Sequence, residues 1–534
     1  MMAKITFLWP EIIMMIGAVV CMLMGLSINP AIRRSTKYVA IATLGIAMAT
    51  VFVTIDPNFI GAQRLASISH LAIYVKLAVL VVGGLLLMLA AAVPESLQAT
   101  RDSEPGAGRP FDPTHALRGE FYAFFLFSLT GVMLCGGAGD LVWLFLALEL
   151  TSLPTYVMIA VSRDRLAAQE SAVKYFYLGA LAVAVFLYGF ALIYGATGFT
   201  DFEGIRAFVE ATLAGGKPLP AILILGVALA IVGIGFKIAA APMQFYAADV
   251  YEGAATPVTA FLAFVPKTAG MVSLILVVGL VTGPGVALPP IVTYLLWIMA
   301  AVTMTYGNVM GLMQSNVKRM LAYSSIAHSG YMLVGLLAGR GTESGNLAMA
   351  NGHAGVLFYL VAYGMGNLGA FAVLTCLKAR GEEAQHVEDL AGLSRRNPIL
   401  AAVLLVSMLS LVGLPPMVGF VGKIYLFGPA VHEHTPLVVI AVLNSAISAV
   451  YYLRIVSAAY FSEPAKDTQL ADTFERRMAG AISAIAAIAI GFGAGLLVDF
   501  AKSATAPAAP NRAVAAPTTT TAELEANSTS VARP

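Results

Sequence analysis

Five ionisable side chains, Glu149, Lys174, Lys237, Lys267 and Lys423, stand in stretches otherwise apolar enough to cross a lipid bilayer. A charge at the centre of a hydrocarbon layer costs roughly 2.5–3.5 kcal/mol on insertion scales, so such a set is not incidental. Charges in a row through a membrane describe a path for ions, protons foremost. Glu149 falls near the middle of its stretch, in LFLALELTSLP, and admits two readings. It is either a protonated acid bonded to a neighbouring helix, or a carboxylate paired with a lysine that it can lose. Lys237 is the natural partner, because the run around it is interrupted, which frees carbonyls and space for water to solvate an ammonium. At an effective dielectric of about 20, unit charges 4–8 Å apart interact by roughly 2–4 kcal/mol, so moving one charge can load or unload a proton on the other.

Lys267, in AFVPKTAG, lies near the midplane of the next stretch, and two such lysines on adjacent helices are hard to account for by packing. Lys423 follows Pro415 and Pro416; it either snorkels to the surface or sits in a hydrated pocket beside that break. Lys174 lies close to the start of its stretch and either snorkels or turns inward to bias Glu149. Lys76 is read as snorkelling. His328, in SSIAHSGY, is a structural histidine or, given its ordinary pKa, a proton relay. The trio His432-Glu433-His434 falls in a loop without further ligands and reads as solvated.

The elements that must position these groups are helices in a membrane. Of the 534 residues 59% are hydrophobic and 11% charged, with a mean hydropathy of +0.84; soluble domains carry about 25% charged residues. The net charge of +2 gives no surface for nucleic acid. Cys21, Cys135 and Cys376 sit in apolar runs without CxxC spacing, so neither disulfides nor an iron–sulfur site is expected. No GxGxxG follows a strand-like run, there is no Walker A, and no paired axial histidines recur, so the chain is expected to bind no redox cofactor and no metal itself.

Fourteen apolar runs are long enough to span. The seventh (220–248) contains Pro242 and the twelfth (398–428) contains Pro415 and Pro416, so each is read as a broken helix. The expected fold is an all-α polytopic membrane protein with about fourteen transmembrane helices and two inverted five-helix repeats, helices 4–8 and 9–13. The corresponding divisions are 1–117 (three helices), 118–281 (first repeat), 282–462 (second repeat), 463–500 (last helix) and 501–534, an Ala/Pro/Thr-rich tail read as disordered. Counted up to Arg512, loops on one side hold seventeen Lys/Arg and those on the side of the termini seven, which puts both termini outside the cytoplasm.

These residues also carry a resemblance. GFKIAAAP (235–242), DVYEGAATPVTAF (249–261), PKTAG (266–270) and NVKRMLAYSSIAHSGY (316–331) are similar to the antiporter-like subunits of bacterial respiratory complex I, an NADH:quinone oxidoreductase. Within that family the strings resemble the subunit N type more than the L or M types. The resemblance implies a proton-translocating membrane-arm subunit in the bacterial cytoplasmic (inner) membrane, surrounded by lipid and by other membrane-arm subunits. NADH, FMN, iron–sulfur clusters and quinone would belong to partner subunits. It implies that Glu149 and Lys237 form the coupled pair, Lys267 the central lysine, Lys423 the terminal one and Lys174 a modulating one. Two departures stand out: Gln244-Phe-Tyr-Ala-Ala248 replaces a segment that usually carries His and Trp, and Gly253-Ala-Ala-Thr-Pro257 replaces GAPTP. The alternative reading is a subunit of a multi-chain cation/proton antiporter, whose chains share the fold.

Overall fold

The structure, a computed structural model, describes residues 7–55, 69–90, 117–162, 166–282, 286–339, 351–379, 382–465, 467–471 and 473–506. In chain order its helices are α1 (Trp9–Gly25), α2 (Pro30–Thr54), α3 (His70–Ala90), α4 (Leu117–Gly136), α5 (Leu141–Val161), α6 (Leu166–Thr197), α7 (Phe202–Ala214), α8 (Ala221–Gly235), α9 (Ala247–Gly253) and α10 (Thr256–Val278). They continue as α11 (Pro290–Leu312), α12 (Val317–Ala338), α13 (Gly352–Thr375), α14 (Leu393–Arg396), α15 (Pro398–Val412), α16 (Val418–Phe427), α17 (Thr435–Phe461), α18 (Phe474–Phe492) and α19 (Ala494–Thr505). Strands β1 (Leu377–Ala379), β2 (Glu382–Glu383) and β3 (Thr468–Leu470) make one small antiparallel sheet in the order β2-β1-β3.

Helix stands at each of the fourteen apolar runs, but the count of fourteen spans is not reached by length and composition. Among the described residues ten helices are long and apolar enough to cross, or eleven if α18 and α19 are one span bent by 83°. The other runs hold the shorter α1 and the two broken helices, α8 with α9 and α15 with α16. Burial sorts the bundle. The apolar windows of α12 and α13 are wholly buried and that of α10 is 94% buried, against 33% for α2 and α6. The innermost helices are thus the ones that carry Lys267 and His328, polar groups that the apolar periphery could not hold. Close contact between α11 and α12 needs small residues: a Cβ on Gly307 would stand 2.6 Å from the Ala327 nitrogen, and one on Gly330 2.6 Å from that of Met304.

Both breaks fall where glycine and proline interrupt the runs. α8 stops at Gly235 and its last turn tightens, the Lys237 amide bonding to the Ile234 carbonyl at 2.9 Å. Residues 236–246 are irregular, with Ala239 at φ 54° and Pro242 after a cis bond. The second break runs from Gly413, at φ 84°, through Pro415 and Pro416 to α16.

Several expectations need correction. Lys76 does not snorkel: it is 1% exposed, pairs with Glu11 at 3.0 Å and donates to the Phe7 carbonyl at 2.5 Å, because α1 and the residues just before it pack within reach and supply the two acceptors. The last crossing is not one straight helix, since it turns sharply at Gly493. The segment from 501 is not wholly disordered either. α19 runs to Thr505 with Ala501, Ala504 and Thr505 buried, and Thr505 accepts from Asn351 at 2.8 Å; residues 507–534 of the expected tail lie outside the described residues, as do the loop charges Arg64, Arg101, Arg109, Arg163, Arg165, Arg340, Arg380 and Lys466 and the terminal Lys4 and Arg512. α7, not anticipated, buries Phe202, Ile205 and Val209, and its Arg206 donates to the Gly279 carbonyl at the end of α10.

Candidate functional site

α5 begins at Asp140, whose side chain caps it by accepting from the Trp143 amide at 2.7 Å, and this sets Glu149 midway along. Lys237 emerges from the tightened end of α8 and its ammonium lies 3.4 Å from the Glu149 carboxylate. Its nearer partner is Ser152, at 2.5 Å. Ser152 stands one turn beyond Glu149 on the same helix face, and its hydroxyl also donates to the Leu148 carbonyl at 2.8 Å. The amine therefore has a charged acceptor and a neutral one side by side. Lys237 is fully enclosed, while the Glu149 side chain keeps 17% exposure.

Between Lys237 and Lys267 lies a small cavity lined by both amines' residues with Tyr175, Tyr246, Tyr251 and Ser325. Its free space is on the order of one water molecule. The departed segment supplies part of this wall. Tyr246 rests 4.4 Å from the Phe236 ring and 4.9 Å from that of Tyr175, and its hydroxyl takes up the Phe236 carbonyl at 2.8 Å. That carbonyl, in the irregular stretch after α8, also accepts from the Ala239 amide at 3.0 Å.

Lys267 donates to the Ser325 carbonyl and, at 2.7 Å, to the Ser329 hydroxyl, both on α12. Its ammonium also stands 4.9 Å from the centre of the Tyr363 ring. His328, one residue before Ser329, is buried with Tyr359 at 2.8 Å from Nδ1 and Tyr452 at 3.0 Å from Nε2. A neutral imidazole has one donor and one acceptor, so one tyrosine donates to the ring and the other accepts from it. Beyond them Lys423 donates to the Leu411 and Val412 carbonyls, at 3.2 and 2.6 Å, and to Ser445 at 2.7 Å. Those carbonyls are the open end of α15, where the helix dipole favours a cation. Tyr331 bridges the two, its ring 5.3 Å from the Lys423 ammonium and 5.5 Å from the His328 ring.

Lys174 stands apart. Its side chain is 44% exposed and paired with Glu170 at 2.7 Å and Asp249 at 3.1 Å, so it faces the polar end of the bundle. Arg319 shares Asp249 at 2.9 Å and holds Glu252 at 2.7 Å. His432 and Glu433 are exposed, and among the described residues no three His, Cys, Asp or Glu converge as a metal site would require. Sequence reasoning missed Ser152, Ser325, Ser329 and the tyrosines 246, 359, 363 and 452. A serine one turn from Glu149 was the signal available for the first, and SSIAHSGY for the next two.

Two helices broken at proline, a carboxylate–lysine pair and further lysines buried in the bundle core define an antiporter-like membrane protein. The family model of the NADH:quinone oxidoreductase/Mrp antiporter transmembrane proteins matches residues 138–448, more than half the chain. NADH-quinone oxidoreductase subunit N of Trichlorobacter lovleyi is 45% identical over 347 residues, 64% of this chain and 68% of that one. Its namesake in Paramagnetospirillum magneticum is 35% identical over 500 residues, 93% of this chain and 96% of the relative. A chain of respiratory complex I from Thermus thermophilus, solved with bound aureothin, matches with a TM-score of 0.71 at 30% identity, covering 92% of this chain and 98% of that one. The chain belongs to the NADH-quinone oxidoreductase subunit N family.

Proposed function

We propose that this chain is the proton-translocating membrane-arm subunit N of an NADH:quinone oxidoreductase. Electron transfer from NADH to quinone takes place in partner subunits, which hold FMN and the iron–sulfur clusters, and this chain performs the translocation. It lies in the bacterial inner membrane beside the other membrane-arm subunits, with its termini on the outer side, and 118–281 and 282–462 act as its two inverted repeats. Glu149 and Lys237 are the coupled pair. When the Glu149 charge is withdrawn, Ser152 alone holds the amine and its proton passes across the cavity to Lys267, then along His328 and its tyrosines to Lys423. Lys174, held by Asp249 and Glu170, adjusts the charge at the entrance.

The single observation that carries this reading is the Lys237 ammonium placed between Glu149 and Ser152, beside a cavity that opens on Lys267. The test is proton pumping per NADH oxidised by the reconstituted complex carrying Glu149→Ala or Lys237→Ala. Pumping is expected to fall while assembly stays intact. Normal pumping with normal assembly removes both residues from the mechanism. A cation/proton antiporter subunit shares the family model, and purification separates the two readings: flavin and iron–sulfur subunits co-purify with an oxidoreductase subunit and not with an antiporter.

A further inference from the structure

The small cavity between Lys237 and Lys267 is closed on one side by a single layer of rings. Tyr175 on α6, Phe236 after α8 and Tyr246 before α9 pack on one another. Their centroids lie 4.4 Å apart for Phe236 and Tyr246, 4.9 Å for Tyr175 and Tyr246 and 5.6 Å for Tyr175 and Phe236. All three are buried, and Tyr175 and Tyr246 line the cavity. Behind this layer lies the charged end of the bundle. Lys174 comes before Tyr175, and Asp249 before Val250, a further lining residue. The two charges pair at 3.1 Å with both side chains partly exposed. On each of two helices, then, consecutive residues face the exposed ion pair and the enclosed cavity.

Of the three rings, Tyr246 is the one whose place is set by a bond that can be broken cheaply. Its hydroxyl reaches back across the irregular stretch and donates to the Phe236 carbonyl at 2.8 Å. The Ala239 amide bonds the same carbonyl at 3.0 Å, so release of the hydroxyl leaves no buried acceptor unpaired. Phe236 is also the residue before Lys237. The latch is therefore fastened to the peptide leading into the lysine that Glu149 and Ser152 hold. On the cavity side, the Tyr251 hydroxyl stands 3.1 Å from that of Ser325, the residue whose carbonyl Lys267 bonds.

We propose that Tyr246 gates proton entry to the cavity from the Lys174–Asp249 end. Latched to Phe236, its ring completes the layer and keeps the line of lysines from running backwards. A stack of ring faces excludes water and offers a proton no lone pair, so it is a barrier that a row of hydroxyls could not make. When Lys237 gives up its proton to Lys267, its amine loses its hold on Glu149 and draws the Phe236 peptide with it. The hydroxyl lets go, the ring turns aside, and the proton that enters reloads the Lys237 amine. The inference rests on the proposed proton path and adds to it the barrier that the path requires.

The test uses the intact complex in sealed proteoliposomes without NADH. A potassium diffusion potential drives protons across, a trapped pH dye reads the flux, and native gels report assembly. Tyr246→Ala, which removes the ring, should raise the passive proton flux several-fold over wild type. Tyr246→Phe keeps the ring and loses only the latch, and should raise it by less. Phe245→Ala, one residue away and exposed, should match wild type. Given NADH, the leaky variants should oxidise it at the rate that wild type reaches only with an uncoupler. A Tyr246→Ala complex that assembles and stays as tight as wild type overturns the gate. If that variant fails to assemble, a tight Tyr246→Phe complex does so. An equal leak from Phe245→Ala also overturns it, since loosening anywhere in the segment would then suffice. Lys237→Ala separates the gate from the path: if it abolishes pumping while Tyr246→Ala stays tight, the gate alone falls, and if it pumps normally, both fall.

Discussion

Lys237 differs from Lys267 and Lys423 in what surrounds its ammonium. It has a carboxylate beside a hydroxyl, whereas the other two have carbonyls, hydroxyls and ring faces, and among the described residues no acid pairs with either. On the proposed path, charge moved at Glu149 acts first on Lys237, and the later lysines respond to the proton itself. The connection between them depends on hydroxyls that a sequence reading passes over, because serine in a membrane helix looks like a small residue at a contact. The ionisable groups were legible from their insertion cost; Ser152, Ser329 and the tyrosines around His328 were not, since their roles come from tertiary placement. His328 offers a test at this scale. Replacing it by Phe keeps a ring of similar shape but leaves the Tyr359 hydroxyl without its partner, at a cost of about 1–3 kcal/mol. Thermal dissociation of the purified complex should show that loss, and proton pumping should fall more than stability does. His328→Gln, which keeps a donor and an acceptor, should recover part of the pumping. Equal pumping by wild type and His328→Phe would take the histidine out of the path.

Helix breaks do at the level of elements what no single side chain could, by exposing backbone carbonyls inside an apolar bundle. Gly, Pro and the lysines beside them made both breaks readable in the sequence. The 83° turn at Gly493 has no proline and α7 carries Glu203, Arg206 and Glu210 among its apolar residues, so neither announced itself. The second break depends on how closely α15 and α16 meet. A Cβ on Gly419 would lie 1.8 Å from the Ser410 carbonyl, a backbone atom that cannot rotate away. Gly419→Ala should therefore push the half-helices apart, with a loss of about 1–3 kcal/mol or more. It should also displace the neighbouring carbonyls of Leu411 and Val412 from Lys423. Gly45→Ala in α2, where nothing lies within 4 Å, is the matched control and should be neutral or stabilising by about 0.4–1 kcal/mol. Melting curves of the complex carrying each change would separate them, and like melting of both would show that the close approach is not needed.

The halves of the chain meet across the whole molecule through polar groups at one end of the bundle, contacts that no periodicity in the sequence foretells. Lys318 on α12 donates to the carbonyls of Glu252 and Ala254 at 3.1 and 2.5 Å, and Arg319 beside it grips Asp249 and Glu252. Glu383, at the end of β2, accepts from the Thr256 amide at 3.1 Å and its hydroxyl at 2.5 Å. It thereby caps α10, the helix that carries Lys267, from a residue 127 positions away. The capping residue of α10 itself, Ala255, has no side chain to do this. A carboxylate at a helix N-terminus gains both from the free amides and from the dipole, roughly 0.5–2 and 0.3–1 kcal/mol. Glu383→Ala should lower the melting temperature of the assembled complex by a corresponding amount. It should also reduce pumping, because α10 would lose its fixed depth relative to α12 and with it the register of Lys267 on Ser325 and Ser329. Glu383→Gln keeps an acceptor without the charge and should fall between wild type and Ala in both measurements. Pumping that stays at the wild-type level while the melting temperature drops would mean that the position of α10 is set by its apolar packing, and that the cap serves stability alone.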